Sequence, residues 1–180
     1  MKIGPFAPVM SDSASPQAIV VMGVCGTGKS TIGRGIADAL DCPYADADDF
    51  HPEANVTKMR SGVALNDGDR EPWLDHLREM MESHLQSGHN VVLACSALRE
   101  IYRERLQPAG FPLRFIFLQG DRDLLVERVN ARADHYMPPE LVDSQLATLE
   151  VPAPADALWC NVASAPTDIL SEALAYVKSA

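Results

Sequence analysis

Gly23-Val24-Cys25-Gly26-Thr27-Gly28-Lys29-Ser30 matches the pattern G-x-x-x-x-G-K-[ST] without a mismatch. Glycines let the backbone curl so that several N–H groups point at one anion. Lys29 adds a point charge toward the β- and γ-phosphates, and the Ser30 hydroxyl is a ligand for Mg²⁺. The flanks agree with this reading. Ala18-Ile19-Val20-Val21-Met22 is a short apolar, β-branched run, read as a buried strand. Ile32, Ile36, Ala39 and Leu40 follow at helical spacing. The loop therefore joins a strand to a helix N-terminus, the end of a helix that favours anions.

Strand-like and helix-like runs alternate outward from the loop. Strands are expected at 18–22, 43–46, 90–95, 113–118 and 157–162. Helices are expected at 30–40, 53–60, 72–87, 97–106, 121–133, 138–149 and 167–178. The third helix is read as starting at Pro72 and ending before Gly88, with Leu74, Leu77, Met81 and Leu85 as its apolar stripe. The last is read with Thr167 as N-cap and Ile169, Leu170, Ala173, Leu174 and Val177 facing inward. The alternation implies an α/β fold, a parallel sheet with helices on both faces. Residues 1–17, rich in Pro, Ser and Ala, are read as a tail, and 18–180 as one domain.

The 180 residues carry a formal net charge of −10. Such a surface repels nucleic acid and anionic membranes, so neither is an expected partner. Cys25, Cys42, Cys95 and Cys160 are dispersed and form no C-x-x-C pair. That argues against a zinc site or a disulfide framework and for a reducing cytoplasm. No apolar run approaches the roughly 18–20 residues of a membrane span, and no secretory signal is read at the N-terminus.

In a parallel sheet, ligands bind beyond the carboxyl ends of the strands. After the second run come Asp46, Asp48 and Asp49, then His51. Crowded carboxylates beside a phosphate loop suit Mg²⁺. The third run ends in Cys95-Ser96, where many P-loop proteins place a metal-binding Asp. Asp46 is then the best remaining carboxylate for the metal. Arg99, Tyr102 and Arg103 follow, read as lying on the next helix, where Arg99 and Arg103 make a local positive face. Arg70 either grips an acid substrate through its planar fork or pairs with Asp67 or Asp69. Arg122, Arg128, Arg132 and His135 precede Pro138-Pro139 and read as a flap over the nucleotide, or else as a salt-bridged surface helix. His76, His84 and His89 receive no role. Cys25 sits beside Lys29 at a helix start, a setting that favours its thiolate.

Together these residues resemble gluconokinases of the small P-loop type, relatives of shikimate kinase and the nucleoside monophosphate kinases. The matching stretches are Met22 to Ser30; Asp46-Ala47-Asp48 with His51-Pro52, Asn55 and Lys58-Met59; Ser61-Gly62; Leu65-Asn66-Asp67 with Asp69-Arg70; Pro72-Trp73-Leu74; Cys95-Ser96-Ala97-Leu98 with Tyr102-Arg103; Leu118-Gln119-Gly120; Arg128 and Arg132 with His135; and Ser144-Gln145 with Leu149-Glu150. They span about residues 18–152. The resemblance implies a three-layer P-loop kinase fold with a five-stranded parallel sheet and a helical lid at about 121–140. It implies ATP-dependent phosphorylation of the 6-hydroxyl of D-gluconate, with Mg²⁺, in a homodimer. Nucleotide contacts are then expected at Gly23, Gly26, Thr27, Gly28, Lys29, Ser30, Thr31, Arg128 and Arg132, and the metal at Ser30 and Asp46. Substrate contacts are expected at Asp48, His51, Arg70, Arg103 and His135, with Lys29, Asp48 and Arg128 acting on the reacting groups. Ala47 stands where the family usually has Gly, which would stiffen that turn. The alternatives are a shikimate kinase or other small-molecule P-loop kinase, against which Cys95-Ser96-Ala97-Leu98 argues, and a nucleotide-binding regulator.

Overall fold

A computed structural model of the chain describes residues 15–131 and 139–179. Five strands form one parallel sheet in the order β2-β3-β1-β4-β5. They are β1 (Ala18–Met22), β2 (Tyr44–Asp46), β3 (Val91–Ala94), β4 (Leu113–Gln119) and β5 (Ala157–Asn161). β1 lies at the centre because its side chains suit burial on both faces, and all five of its residues are 0% exposed. The strand order reverses about β1, so the crevice beyond β1 and β3 is where this class of sheet takes ligands.

Among the described residues seven helices accompany the sheet: α1 (Lys29–Leu40), α2 (Glu53–Arg60), α3 (Asp67–Gln86), α4 (Glu100–Arg105), α5 (Arg122–Asn130), α6 (Pro139–Thr148) and α7 (Pro166–Lys178). Ile19, Val21, Ile116 and Leu118 point to one face and pack with Ile32, Ile36, Leu125, Val129, Val142, Ile169 and Val177. Val20, Met22, Leu93 and Phe117 point to the other and meet Trp73, Leu74, Leu77, Met81, Leu85 and Tyr102. The alternating direction of strand side chains produces these two separate cores.

Only α2 starts where the sequence reading put it; α1, α5 and α6 shift by one residue, and α3, α4 and α7 differ in how they are capped. α3 begins at Asp67, five residues before Pro72. Asn66 caps it: its side chain accepts from the Asp69 N–H at 2.9 Å, and the Asp69 carboxylate accepts from the Asn66 N–H at 2.8 Å. This reciprocal box satisfies two end donors. It outweighs the preference of proline for a first turn, and Pro72 sits inside the helix on its exposed side. α7 starts after Ala165 with Pro166 in its first turn, so Thr167 is helical and not the cap. α4 starts only at Glu100, which leaves Arg99 as the residue before the helix. Gln17, assigned to the tail from sequence, is buried: its N–H donates to Asn90 Oδ1 at 2.9 Å and its Nε2 to the Val177 carbonyl at 3.1 Å.

Candidate active site

The phosphate loop is held by its backbone. Gly23 has φ +143°, and a Cβ there would lie 2.4 Å from the Leu118 carbonyl oxygen. Gly28, the residue before α1, has φ +89° and open space where a Cβ would project. Glycine is thus required at Gly23 by a neighbour and at Gly28 by conformation. The Thr27 hydroxyl donates to the Val24 carbonyl at 2.8 Å, closing the loop from within. Lys29 Nζ donates to the same carbonyl at 3.1 Å. Burial holds the Lys29 ammonium below the ordinary lysine value, while Asp48 foremost, and also Asp46, oppose that shift. Thr31 is exposed in the first turn of α1.

Ser30 and Asp46 meet as the sequence suggested. Ser30 Oγ donates to Asp46 Oδ2 at 2.9 Å, and the Tyr44 hydroxyl donates to the same oxygen at 3.2 Å. Asp46 also precedes a 3-10 turn, Ala47–Phe50, and its Oδ1 accepts from the Asp48 N–H at 3.3 Å. The donor set is a hydroxyl and a carboxylate, hard oxygens of the kind Mg²⁺ prefers. Among the described residues there is no cluster of three or more His, Cys, Asp or Glu side chains for a metal. Ala47 is buried in the turn, where no glycine is needed, and its carbonyl accepts from Trp73 Nε1 at 2.8 Å. Cys95, at the end of β3, is buried and its thiol is pushed up to about 12, so it offers no thiolate ligand.

Asp48 follows on the exposed side of the turn, with His51 Nε2 4.0 Å from its Oδ1. The His51 ring stacks on Trp73 with centroids 4.2 Å apart. Its Nδ1 is buried and has no hydrogen-bond partner among the described residues. Burial lowers the His51 pKa, Asp48 opposes this, and Arg70 adds to it, which favours the neutral ring. The two sequence readings of Arg70 are separated by its neighbours. Asp69 pairs with Lys58, and Asp67 accepts from Arg99 Nη1 at 2.6 Å and from the Tyr102 hydroxyl at 2.6 Å. The Arg70 guanidinium rests over the Tyr102 ring, 5.6 Å from its centroid. It makes no hydrogen bond or ion pair with the described residues, and its charge acts on His51, Asp67 and Asp69 from a distance.

The expected positive face of Arg99 and Arg103 is not built. Arg99 lies outside the helix, its Nε also donating to Glu150 Oε1 at 3.3 Å. Arg103 Nη1 donates to the carbonyls of Ala97 at 3.1 Å and Leu98 at 3.3 Å, and makes no polar contact with Asp48, His51 or Arg70. Those carbonyls need a donor because Ala97 takes φ +43°, a left-handed conformation that turns the chain sharply after β3.

α5 packs directly on the loop. A Cβ on Gly26 would lie 2.9 Å from the Leu125 carbonyl oxygen and 3.0 Å from Val129 Cγ2. From this helix Arg128 Nη2 donates to the Val162 carbonyl at 2.8 Å. Arg122 joins α5 to α6 through a two-pronged pair with Asp143, at 2.5 and 2.8 Å. Arg122 thus follows the salt-bridged reading of this segment, and Arg128 lies on the helix that touches the loop. Arg132 and His135 lie outside the described residues. The sequence reading missed Gln145 on α6, whose Oε1 accepts from the Cys25 N–H of the loop at 2.7 Å. It quoted Gln145 and Glu150 without roles, because a pairing across 120 residues leaves no local signal.

A strand-to-helix phosphate loop facing a carboxylate pair and an uncommitted arginine, on a sheet of this order, defines the chain as a small-molecule kinase of the P-loop class. The family profile described as "Shikimate kinase" matches residues 25–163. A "Probable gluconokinase" of Dictyostelium discoideum is 40% identical over 171 residues, covering 89% of this chain and 86% of the relative. A "Gluconokinase" of Gluconobacter oxydans is 44% identical over 137 residues, covering 76% and 77%. A crystal structure of a gluconokinase from Sinorhizobium meliloti 1021 superposes with a TM-score of 0.82 at 41% identity, covering 92% of this chain and 93% of that one. The chain belongs to the gluconokinase family, within the wider shikimate-kinase-like group.

Proposed function

We propose that this kinase transfers the γ-phosphoryl group of ATP to the 6-hydroxyl of D-gluconate, giving 6-phospho-D-gluconate and ADP. The observation that carries this reading is Arg70. Its guanidinium rests over the Tyr102 ring with no hydrogen bond or ion pair among the described residues, and its charge reaches His51, whose Nδ1 has no partner among them and whose Nε2 lies 4.0 Å from the exposed Asp48. An acidic polyol supplies a carboxylate for the fork and hydroxyls for the other two. The named activity of the relatives agrees with it.

The backbone N–H groups between Gly23 and Thr31 hold the phosphates, and Lys29 neutralises charge on the transferred group. Ser30 and Asp46 would hold Mg²⁺, which when bound offsets charge on the β- and γ-phosphate oxygens. Asp48 orients the acceptor hydroxyl and takes its proton. Phosphoryl transition states are loose, so this placement counts for more than deprotonation. Arg128 and Arg132 are assigned to the nucleotide and His135 to the acceptor, on a lid at about 121–140. Arg103, bonded to the carbonyls after Ala97, supports the acceptor pocket from behind. A domain of residues 18–180 acting as a cytoplasmic homodimer completes the proposal. No described helix is long and apolar enough to cross a membrane.

The test is ADP release with Mg-ATP and D-gluconate, shikimate or nucleoside monophosphates in parallel. Release is expected with gluconate at a rate at least about a hundredfold above the others, the discrimination a site built on polar contacts can reach. Faster release with shikimate, or release indifferent to any acceptor, overturns the reading.

A further inference from the structure

Tyr102 is flanked by two arginines. The Arg70 guanidinium lies 5.6 Å from its ring centroid and that of Arg99 lies 5.7 Å from it. Between them stands Asp67, the first residue of α3, with each oxygen taken. Oδ1 accepts from the Tyr102 hydroxyl and Oδ2 from Arg99 Nη1, both at 2.6 Å. Asp67 and Arg70 are three residues apart on one helix, the spacing at which opposite charges ordinarily pair. No hydrogen bond or ion pair joins them here, although the Arg70 charge acts on Asp67 from a distance; Arg99 reaches Asp67 from across the chain. Arg99 is itself held from its other side by Glu150, whose second oxygen accepts from the Glu100 N–H at 2.6 Å. The Glu150 N–H in turn donates to the Leu98 carbonyl at 2.8 Å. The segment that follows α6 thus fixes Arg99, and Arg99 fixes Asp67.

We propose that Arg99 is a positioning residue for acceptor recognition: by occupying Asp67 it leaves the Arg70 guanidinium to the carboxylate of the substrate. Without Arg99, Asp67 is an unpaired anion one helical turn from Arg70. It pairs with that guanidinium and turns it from an anionic acceptor. The inference rests on the reading of Arg70 as the carboxylate contact. It assigns a task to Arg99 and Asp67, neither of which touches substrate or nucleotide in this scheme.

A double-mutant cycle on the full chain tests it, with D-gluconate as the variable substrate and ATP saturating. Arg99→Ala is expected to raise the KM for gluconate about three- to tenfold, the range open to an exposed but well-aligned ion pair. The kcat and the KM for ATP should stay within about twofold, a split that general loosening of the fold does not produce. In an Asp67→Asn background, the same Arg99→Ala change should move the gluconate KM less than about twofold, because no anion remains to compete. Where Arg99→Ala does not fold, Arg99→Met, which keeps the stem over Tyr102, carries the same comparison. An unchanged KM in Arg99→Ala overturns the proposal. So does an equal rise in both backgrounds, which would mean that Arg99 meets the substrate itself. Arg70→Lys, measured alongside, separates the two levels. If it leaves the KM unchanged, the carboxylate reading falls and this inference with it. If it raises the KM while the cycle shows no coupling, only the role of Arg99 falls.

Discussion

The loop at 23–30 and the stretch from Asp46 to Tyr102 face one another beyond β1, β2 and β3, yet they prepare for their ligands by different means. The loop works through main-chain N–H groups, and its conformation depends on Gly23 and Gly28 holding positive φ. Its side chains close it from within, as the Thr27 hydroxyl does on the Val24 carbonyl. The acceptor side works through side chains, and each is available or not according to what else it meets. Lys58 takes Asp69, Arg99 takes Asp67, and Arg70 is left over. A backbone site is robust to most substitutions, whereas a side-chain site is reset by a change in any member.

Substitutions at the two sides test that difference. The largest effect is expected at Lys29, the one loop side chain proposed to meet the phosphates. Lys29→Met should lower kcat by about 10²–10³, the usual result of removing a donor that meets developing charge. Circular dichroism should show an unchanged fold. On the acceptor side, Asp48→Ala should lower kcat about a hundredfold, as expected for a positioned proton acceptor. Its KM for ATP should stay within about twofold, and initial rates at varied ATP check the split. Arg70→Lys keeps the charge and loses the fork, so the gluconate KM should rise about tenfold with little change in kcat. Equal changes in the KM values for ATP and gluconate would erase the distinction between the two sides.

Two smaller effects sharpen it. Gln145→Ala removes the hydrogen bond that its Oε1 accepts from the Cys25 N–H. The thermal midpoint should fall by about 2–4 °C, as for the loss of one hydrogen bond near 1 kcal/mol. The KM for ATP should rise about two- to threefold while that for gluconate holds, since the contact lies on the loop side. The smallest effect concerns His51, whose pKa is lowered by burial from the ordinary 6.5. Below that value the unfolded chain takes up a proton that the folded ring refuses. Stability is therefore complete above the ordinary histidine pKa and is lost as pH falls beneath it, until the depressed folded value is reached. His51→Phe, which keeps the stack on Trp73, should flatten the denaturation midpoint between pH 7 and about 5.5, and an unchanged slope would relieve His51 of that role.

Much of this was legible before any fold was seen. The strand runs at 18–22 and 113–118 are β1 and, to within one residue, β4. Leu74, Leu77, Met81 and Leu85 are all buried as their spacing required. Ser30 and Asp46, sixteen residues apart, were matched by the chemistry of the loop and the lack of a carboxylate at Cys95-Ser96, and they touch. Where two local rules competed, one of them lost. Pro72 was read as the start of α3, but the Asn66–Asp69 capping box starts it at Asp67, and two hydrogen bonds prevailed over the preference of one ring. Arg99 and Arg103 looked equivalent at helical spacing, but the left-handed turn at Ala97 delays α4 and sends the two guanidinium groups to different partners.

By itself, then, the sequence determined the parallel sheet, the phosphate loop and the kinase class, because alternation, glycine placement and a lysine–serine pair are local patterns with local physical causes. Only the tertiary structure decided which arginine is left for a substrate. Charge pairing is a competition among neighbours in space, and Asp67, Arg99 and Glu150 are brought together from three distant parts of the chain.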